Sequence, residues 1–248
     1  MTPAVVASQA VRNVRTPNRA WDRMFFSAMA LLVLASVLYG FARTYFLAGM
    51  VTAPLPNRLI HVHGAAFTLW IVLLIVQTGL ISARQIRVHR TLGLGGFGLA
   101  VVMVILGVFA ATDALRRSTG ALGADAKTFF IVPITDMVLF SVFVFFAYRA
   151  RSKPEAHKRL ILIATIALLG AAVGRWPITF LQQHPPFVDI VLFGFLLLIV
   201  IYDLFSLHRV SRTTMWASAL YVVVHVVRFP LGTTSAWHSL ADWVIGKG

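Results

Sequence analysis

The stretch "LIHVHGAAFTLWIVLLIVQTGLIS", Leu59 to Ser82, contains no Asp, Glu, Lys or Arg. It is longer than the ~20 apolar residues an α-helix needs to cross the hydrocarbon core of a bilayer. It reads as a membrane helix with two histidines, His61 and His63, at its lip. Working outward, the same pattern recurs. Apolar runs at about 24–46, 59–82, 91–111, 128–149, 158–180, 187–207 and 213–232 give seven spans. Pro54 and Pro56 break the chain before the second run, Pro154 falls before the fifth, and Pro185 with Pro186 opens the sixth. The chain of 248 residues is 59% hydrophobic and only 12% charged, with mean hydropathy +0.84. A soluble domain carries roughly a quarter charged residues. The expected fold is all-α: a polytopic transmembrane helix bundle of about seven spans with the N-terminus cytoplasmic.

The flanks refine this. "MTPAVVASQAVRNVRTPNRA", residues 1–20, holds Arg12, Arg15 and Arg19 but no apolar core long enough for a signal peptide. It is expected to be a flexible cytoplasmic tail and not a cleaved leader, leaving 21–232 as the bundle. Residues 233–248, "TTSAWHSLADWVIGKG", read as a short interfacial helix with Trp237 and Trp243 at head-group level. With the N-terminus inside, the inner segments hold 14 of the 22 Lys and Arg residues. That bias orients the chain in the inner (plasma) membrane of a bacterial cell, multi-pass, with the C-terminus out. The loop around Arg116, with Arg117 and Lys127, is the main exception.

A formal net charge of +14 would suggest nucleic acid in a soluble protein. Here the basic residues sit between apolar runs, so topology and anionic lipid head groups account for them, and no nucleic-acid partner is expected. The absence of cysteine removes disulfides, thiolate ligands, iron–sulfur clusters and cysteine catalysis. No hydrolase or P-loop motif occurs. "GLGGFG" from Gly93 lies inside a transmembrane run with no preceding strand or following acidic residue, so a dinucleotide reading is rejected.

The eight histidines sort by depth. His89, His157 and His208 lie at the cytoplasmic ends of spans three, five and six. His61, His63 and His184 lie at the outer ends of spans two and five, and His225 lies inside span seven, roughly 10 Å below its outer end. "RVHRTLG" from Arg87 and "EAHKRLI" from Glu155 form a faint repeat, with their histidines 68 residues apart, each opening an outward-running helix. Beneath His89 on one face come Gly93, Gly96, Ala100, Met103, Gly107 and Ala110. Such a small face lets a neighbouring backbone approach closely, and it would also admit the flat edge of a porphyrin. His61 and His63 cannot share a face. The stripe containing Gln77 favours His63 inward, because a side-chain amide at membrane depth needs a polar neighbour.

Span seven carries Thr214, Ser218, Tyr221, His225, Arg228 and Gly232 in steps of three and four. Asp136 reaches a similar depth in span four, so an Asp136–His225–Arg228 cluster is expected as a proton or charge relay, or as a self-satisfying buried group. Asp203, near the inner end of span six, is placed to meet His157, His208 or Arg209.

Two imidazoles at one depth on different helices can hold a haem iron from both sides, and without cysteine the bis-His or His–Met modes remain. The inner pair His89/His157 combines depth, helix start and basic neighbours for the propionates: Arg87, Arg90, Lys158 and Arg159. An outer pair, His61 or His63 with His225 or His184, satisfies depth only. The alternatives are a Zn²⁺ or Cu⁺ site on His61, His63 and His184, a proton-coupled transporter or permease using Asp136 and His225, or a structural subunit with inert interfacial histidines.

"HVHGAAFTLWIVLLIVQ", "VHRTLGLGGF" and "AHKRLILIATIALL" resemble segments of a group of uncharacterised bacterial multi-spanning membrane proteins. That group is similar to the haem-associated proteins that mature haem–copper terminal oxidases, and "HR-x-LG" recurs in ferric-reductase-type membrane cytochromes. The likeness covers roughly residues 57–180 and extends to the closing "TTSAWHSLADWV". It implies b-type haem at positions matching His61, His63, His89 and His157, with a quinone or respiratory complex as partner. The seventh span is extra to the smaller maturation proteins, and no flavin or nicotinamide module accompanies the bundle. The function expected is electron transfer or respiratory-oxidase maturation.

Overall fold

A computed structural model of the chain describes residues 18–47, 57–121 and 123–246. Most of the N-terminal tail, with Arg12 and Arg15, and the proline pair Pro54 and Pro56 lie outside the described residues. The helices in chain order are α1 (Arg19–Phe41, extended by a wider turn over Ala42–Phe46), α2 (Arg58–Ser82), α3 (Ile86–Arg116) and α4 (Ala126–Arg149). They continue with α5 (Pro154–Ile166), α6 (Gly170–Val173), α7 (Thr179–Gln183), α8 (Pro186–Leu207), α9 (Arg212–Gly232) and α10 (Ser235–Val244). Seven segments are long and apolar enough to cross a membrane. The protein is a multi-pass, all-helical membrane bundle.

Local chemistry sets the helix starts. The Asn57 side chain accepts the Ile60 amide, Asp125 accepts the Lys127 and Thr128 amides, and Ser211 accepts the Thr214 amide. Each satisfies donors that a helix N-terminus leaves unpaired. Pro154 and Pro186 occupy first-turn positions, where a missing N–H costs nothing. The faces turned away from the bundle are as apolar as those turned in: Leu94, Val101, Ile105 and Phe109 on α3, and Leu197, Ile201 and Phe205 on α8, are exposed. Helices apolar all round suit a lipid solvent.

Neighbouring spans run in opposite directions. The face where α1 begins, here the N-terminal face, also holds the starts of α3, α5 and α9. Lys158 Nζ on α5 meets Asp22 Oδ1 on α1 there at 2.5 Å. On the opposite face Asn57 Nδ2 donates to Asp113 Oδ2 (3.1 Å), and Lys127 Nζ meets Asp242 Oδ2 (2.6 Å). The core centres on α4, which packs against α3, α5, α9 and α10 and buries Phe140, Phe143 and Ala147 completely.

Two spans differ most from the sequence reading. Helix α3 runs for 31 residues, about 46 Å, and overshoots the apolar run at both ends. His89 and Arg90 therefore sit inside its first turns. Arg116 ends the helix, and the next residue, Arg117, bonds Asp113 on the last turn (2.9 Å). Span five starts at Pro154 and breaks after Ile166, where Leu168 and Leu169 bond three residues back. The break lets α6 press against α1: a Cβ on Gly40 would lie 2.1 Å from the Ala172 carbonyl oxygen, and Trp176 Nε1 donates to Ser36 O (3.1 Å). The C-terminal segment forms α10, held to α4 by Lys127–Asp242, by Trp237 Nε1 to Lys127 O (2.9 Å) and by Thr128 Oγ1 to His238 Nε2 (3.0 Å).

Gly40→Ala should destabilise the detergent-solubilised protein by about 1–3 kcal/mol through overpacking. Gly79→Ala, whose added methyl meets nothing within 4 Å, should not; comparing their thermal unfolding checks this. A second expectation concerns pH. The Thr128 hydroxyl and amide hold the Asp125 carboxyl below its usual value of 3.8. A lowered folded-state value means the cap contributes fully above 3.8 and is lost as pH falls below it. Protection of the Lys127 and Thr128 amides from hydrogen exchange, relative to their intrinsic rates, should exceed that in Asp125→Ala above pH 3.8 and converge on it below.

Candidate functional site

Helices α1, α2, α3 and α5 leave a cavity of about 680 Å³ open toward the N-terminal face. Its walls include Phe26, Trp70, Gln77, His89, Gly93, Gly96, Phe97 and His157. Both histidines are the fourth residue of their helices, α3 and α5, so equivalent positions in two parallel helices bring them together. Their ring centroids are 6.5 Å apart with planes at 84°. Two imidazoles bound on either side of one ion, each nitrogen about 2.0–2.1 Å away, place their centroids roughly 6–6.5 Å apart.

The protonation pattern follows from the partners. His157 Nδ1 lies 2.9 Å from the Ala147 carbonyl at the end of α4. A carbonyl only accepts, so Nδ1 carries the hydrogen and Nε2 keeps a lone pair. A carbonyl bonded to the far nitrogen in this way fixes the ring orientation of a ligating histidine. His89 Nδ1 and Gln77 Oε1 are buried without a hydrogen-bond partner. Gly93 lies on the wall beside Gln77, whereas at Gly96 a Cβ would already lie 2.7 Å from Leu73 Cδ2. Deeper in α3 the small stripe serves packing instead: a Cβ on Gly107 would lie 2.3 Å from Met137 Sδ.

The basic surroundings differ in membership from the sequence reading. Arg90 and Lys158 line the cavity, joined by Arg23 and Arg151. Arg87 points to solvent. Arg159 is fully buried and committed: its Nε and Nη2 donate to Asp203 Oδ1 (2.9 and 2.5 Å), and Nη1 donates to Glu155 Oε2 (2.7 Å). Asp203 therefore meets Arg159, not His157, and its Oδ2 accepts the Thr214 hydroxyl and the Ser211 amide (2.5 and 3.0 Å).

A second buried polar group sits toward the opposite face. Arg228 Nη1 donates to Asp136 Oδ1 (3.0 Å) and Nη2 to Asp189 Oδ1 (2.8 Å). His225 Nδ1 lies 2.8 Å from Asp189 Oδ1, and Nε2 is 4.0 Å from Asp136 Oδ1. The Tyr221 ring stacks on His225 at 4.0 Å. The Asp136, His225 and Arg228 side chains expected to meet do meet. Asp189, which the sequence reading missed, completes the group; its signal is its place in the first turn after Pro186, level with His225. The break in α5 lies alongside, with Gly170 near Asp136.

No family model, curated protein or solved structure matches the chain.

The remaining histidines stay apart. His61 is exposed, with its ring 5.8 Å from Tyr45. His63 is half-buried and packs on Phe67 at 4.1 Å. The polar neighbourhood of Gln77 is the cavity with His89 and not His63, so that argument for an inward His63 does not hold although the ring does turn inward. His184 is exposed and stacks on Phe180 (4.6 Å). Helix α2 packs on α1 and α3, whereas α9 packs on α4, α5 and α8, so His63 and His225 do not form an outer pair. Among the described residues no group of three or more His, Asp or Glu side chains is arranged to hold a metal ion, which removes the His61/His63/His184 site.

Arg159→Leu leaves Asp203 buried and uncompensated and should cost on the order of 3–5 kcal/mol. Thermal unfolding in detergent reads this, and a variant within 1 kcal/mol of the parent would show that the pair is hydrated.

Proposed function

We propose that this membrane bundle is a b-type haem protein in which His89 and His157 would hold the iron, acting in electron transfer or respiratory-oxidase maturation. The observation that carries the reading is the pairing of two imidazoles, at the separation one shared ion requires, inside a cavity lined by aliphatic, aromatic and small residues, with basic side chains and the carboxylates of Asp22 and Glu155 among its walls. Bound haem supplies one-electron chemistry whose potential depends on axial ligands, nearby hydrogen bonds and burial. The chain's own residues do the rest. Ala147 O orients His157, and Gly93 leaves the wall beside Gln77 free of bulk. Phe97, 6.4 Å from the His157 ring, narrows access of water, and Arg23, Arg90 and Arg151 offer guanidiniums to two propionates. Lys158 contributes less, because Asp22 and Glu155 hold its ammonium. The sequence likeness to haem-associated membrane proteins supports the same reading. A quinone or a respiratory complex is the redox partner it implies, since both work within the lipid layer.

The chain purified in detergent from haem-sufficient cells should show a b-type dithionite-reduced minus oxidised spectrum with about one haem per chain. His89→Ala and His157→Ala should each lower haem content at least tenfold while the protein still inserts and elutes as the parent does. A colourless parent, or two variants with unchanged haem, overturns the assignment.

A further inference from the structure

Helix α9 presents one continuous polar face to the bundle. Thr214, Tyr221, His225 and Arg228 are buried on it, and Ser218 lies between them. From Thr214 to Arg228 the helix rises about 21 Å, most of the ~30 Å hydrocarbon thickness. Each end of this face joins one of the two buried ionic groups. At the N-terminal face Thr214 bonds Asp203, which bonds Arg159, which bonds Glu155. The Glu155 side chain is 51% exposed, so that end reaches water. At the other end His225 and Arg228 bond Asp189, whose side chain is 20% exposed.

Between the two groups, Ser218 Oγ and Tyr221 Oη are buried with no protein partner, as are His225 Nε2 and Arg228 Nε. Buried hydroxyls in a lipid-embedded core are costly unless they are hydrogen-bonded, and two on one helix face, 4.5 Å apart in rise, suit a bridging water. His225 stands between two carboxylates, with Nδ1 toward Asp189 and Nε2 toward Asp136. The groups facing it are Asp136 on α4, Asp189 on α8, and Tyr221 and Arg228 on its own helix. Two carboxylates and one guanidinium leave a single negative charge, which one proton cancels.

We infer that the polar face of α9 is a proton path across the bundle. It runs from Asp203, whose ion pair with Arg159 reaches the surface at Glu155, through Thr214, Ser218 and Tyr221 to His225, Asp136 and Asp189. At His225 a proton is taken up on Nε2 and another is released from Nδ1 to Asp189. The ring is left neutral in its other tautomer, Asp189 passes its proton to water at its exposed side, and rotation of the ring restores the starting tautomer. Charged and titratable residues within a membrane span mark such relays, and this one needs no bound cofactor, so it stands apart from the haem reading.

The test is proton flux into proteoliposomes holding the full-length chain and an internal pH-sensitive dye, driven by a potassium-diffusion potential. The parent should acidify the lumen several-fold faster than protein-free liposomes. Tyr221→Phe removes one hydroxyl while keeping the ring that stacks on His225, so the fold is retained and flux should fall to near that of protein-free liposomes. Asp136→Asn should do the same, and Asp113→Asn, at the end of α3 and off the path, should conduct as the parent does. A parent no faster than protein-free liposomes under either polarity overturns the inference. So does a conducting parent whose Tyr221→Phe and Asp136→Asn variants conduct equally, since the path then lies elsewhere. Haem content of the same preparations is measured separately, so failure of one assignment leaves the other intact.

Discussion

A charge inside the hydrocarbon layer has no water to turn to, so each one must be answered by another side chain. That constraint organises this bundle. Arg159, Asp203 and Thr214 tie α5, α8 and α9 together at the N-terminal face. Arg228, Asp136 and Asp189 tie α9, α4 and α8 together toward the other. The exposed faces of the helices are apolar and indifferent to one another in lipid. These ionic contacts, with close packing at small residues, are what select one arrangement of spans.

The same constraint separates the bundle into two parts. Around α4, α5, α8 and α9 the packing is dense, with Phe140, Ile163, Leu192 and Tyr221 completely buried. Toward the N-terminal face, α1, α2, α3 and α5 diverge around the cavity. Glycines on α3 supply little side-chain bulk there. Into that space turn the two histidines, His89 with a buried nitrogen lacking a partner and His157 with one nitrogen already committed to a carbonyl. A dense ionic core beside a roomy histidine-lined cavity is a division of labour: one part holds the helices, and the other has space for a ligand.

Much of this was legible in the chain because the bilayer imposes a simple code. Apolar length reveals a span, and alternation of direction then gives every residue a depth. Depth alone placed His89 beside His157 and Asp136 beside His225 and Arg228. It failed where a partner's identity depends on rotation about a helix axis. Arg159 reads as one more basic residue in an inner segment, yet it faces inward to Asp203 while Lys158 beside it faces Asp22. Depth also cannot see lateral adjacency, and so His63 and His225, level in the membrane, end on helices that do not pack together.

What the sequence by itself determined is the solvent and the layering. With 12% charged residues and seven apolar runs, the chain must cross lipid, and its few ionisable groups must lie at two levels. What only the tertiary structure decided is who answers whom. Asp189 completes the ionic group with Asp136 and Arg228 because α8 packs on α9, and the break after Ile166 lets α6 seat against Gly40. Hydropathy is a property of each segment alone and is written in composition. Pairing depends on which faces of which helices meet, a property of the whole assembly that no single segment carries.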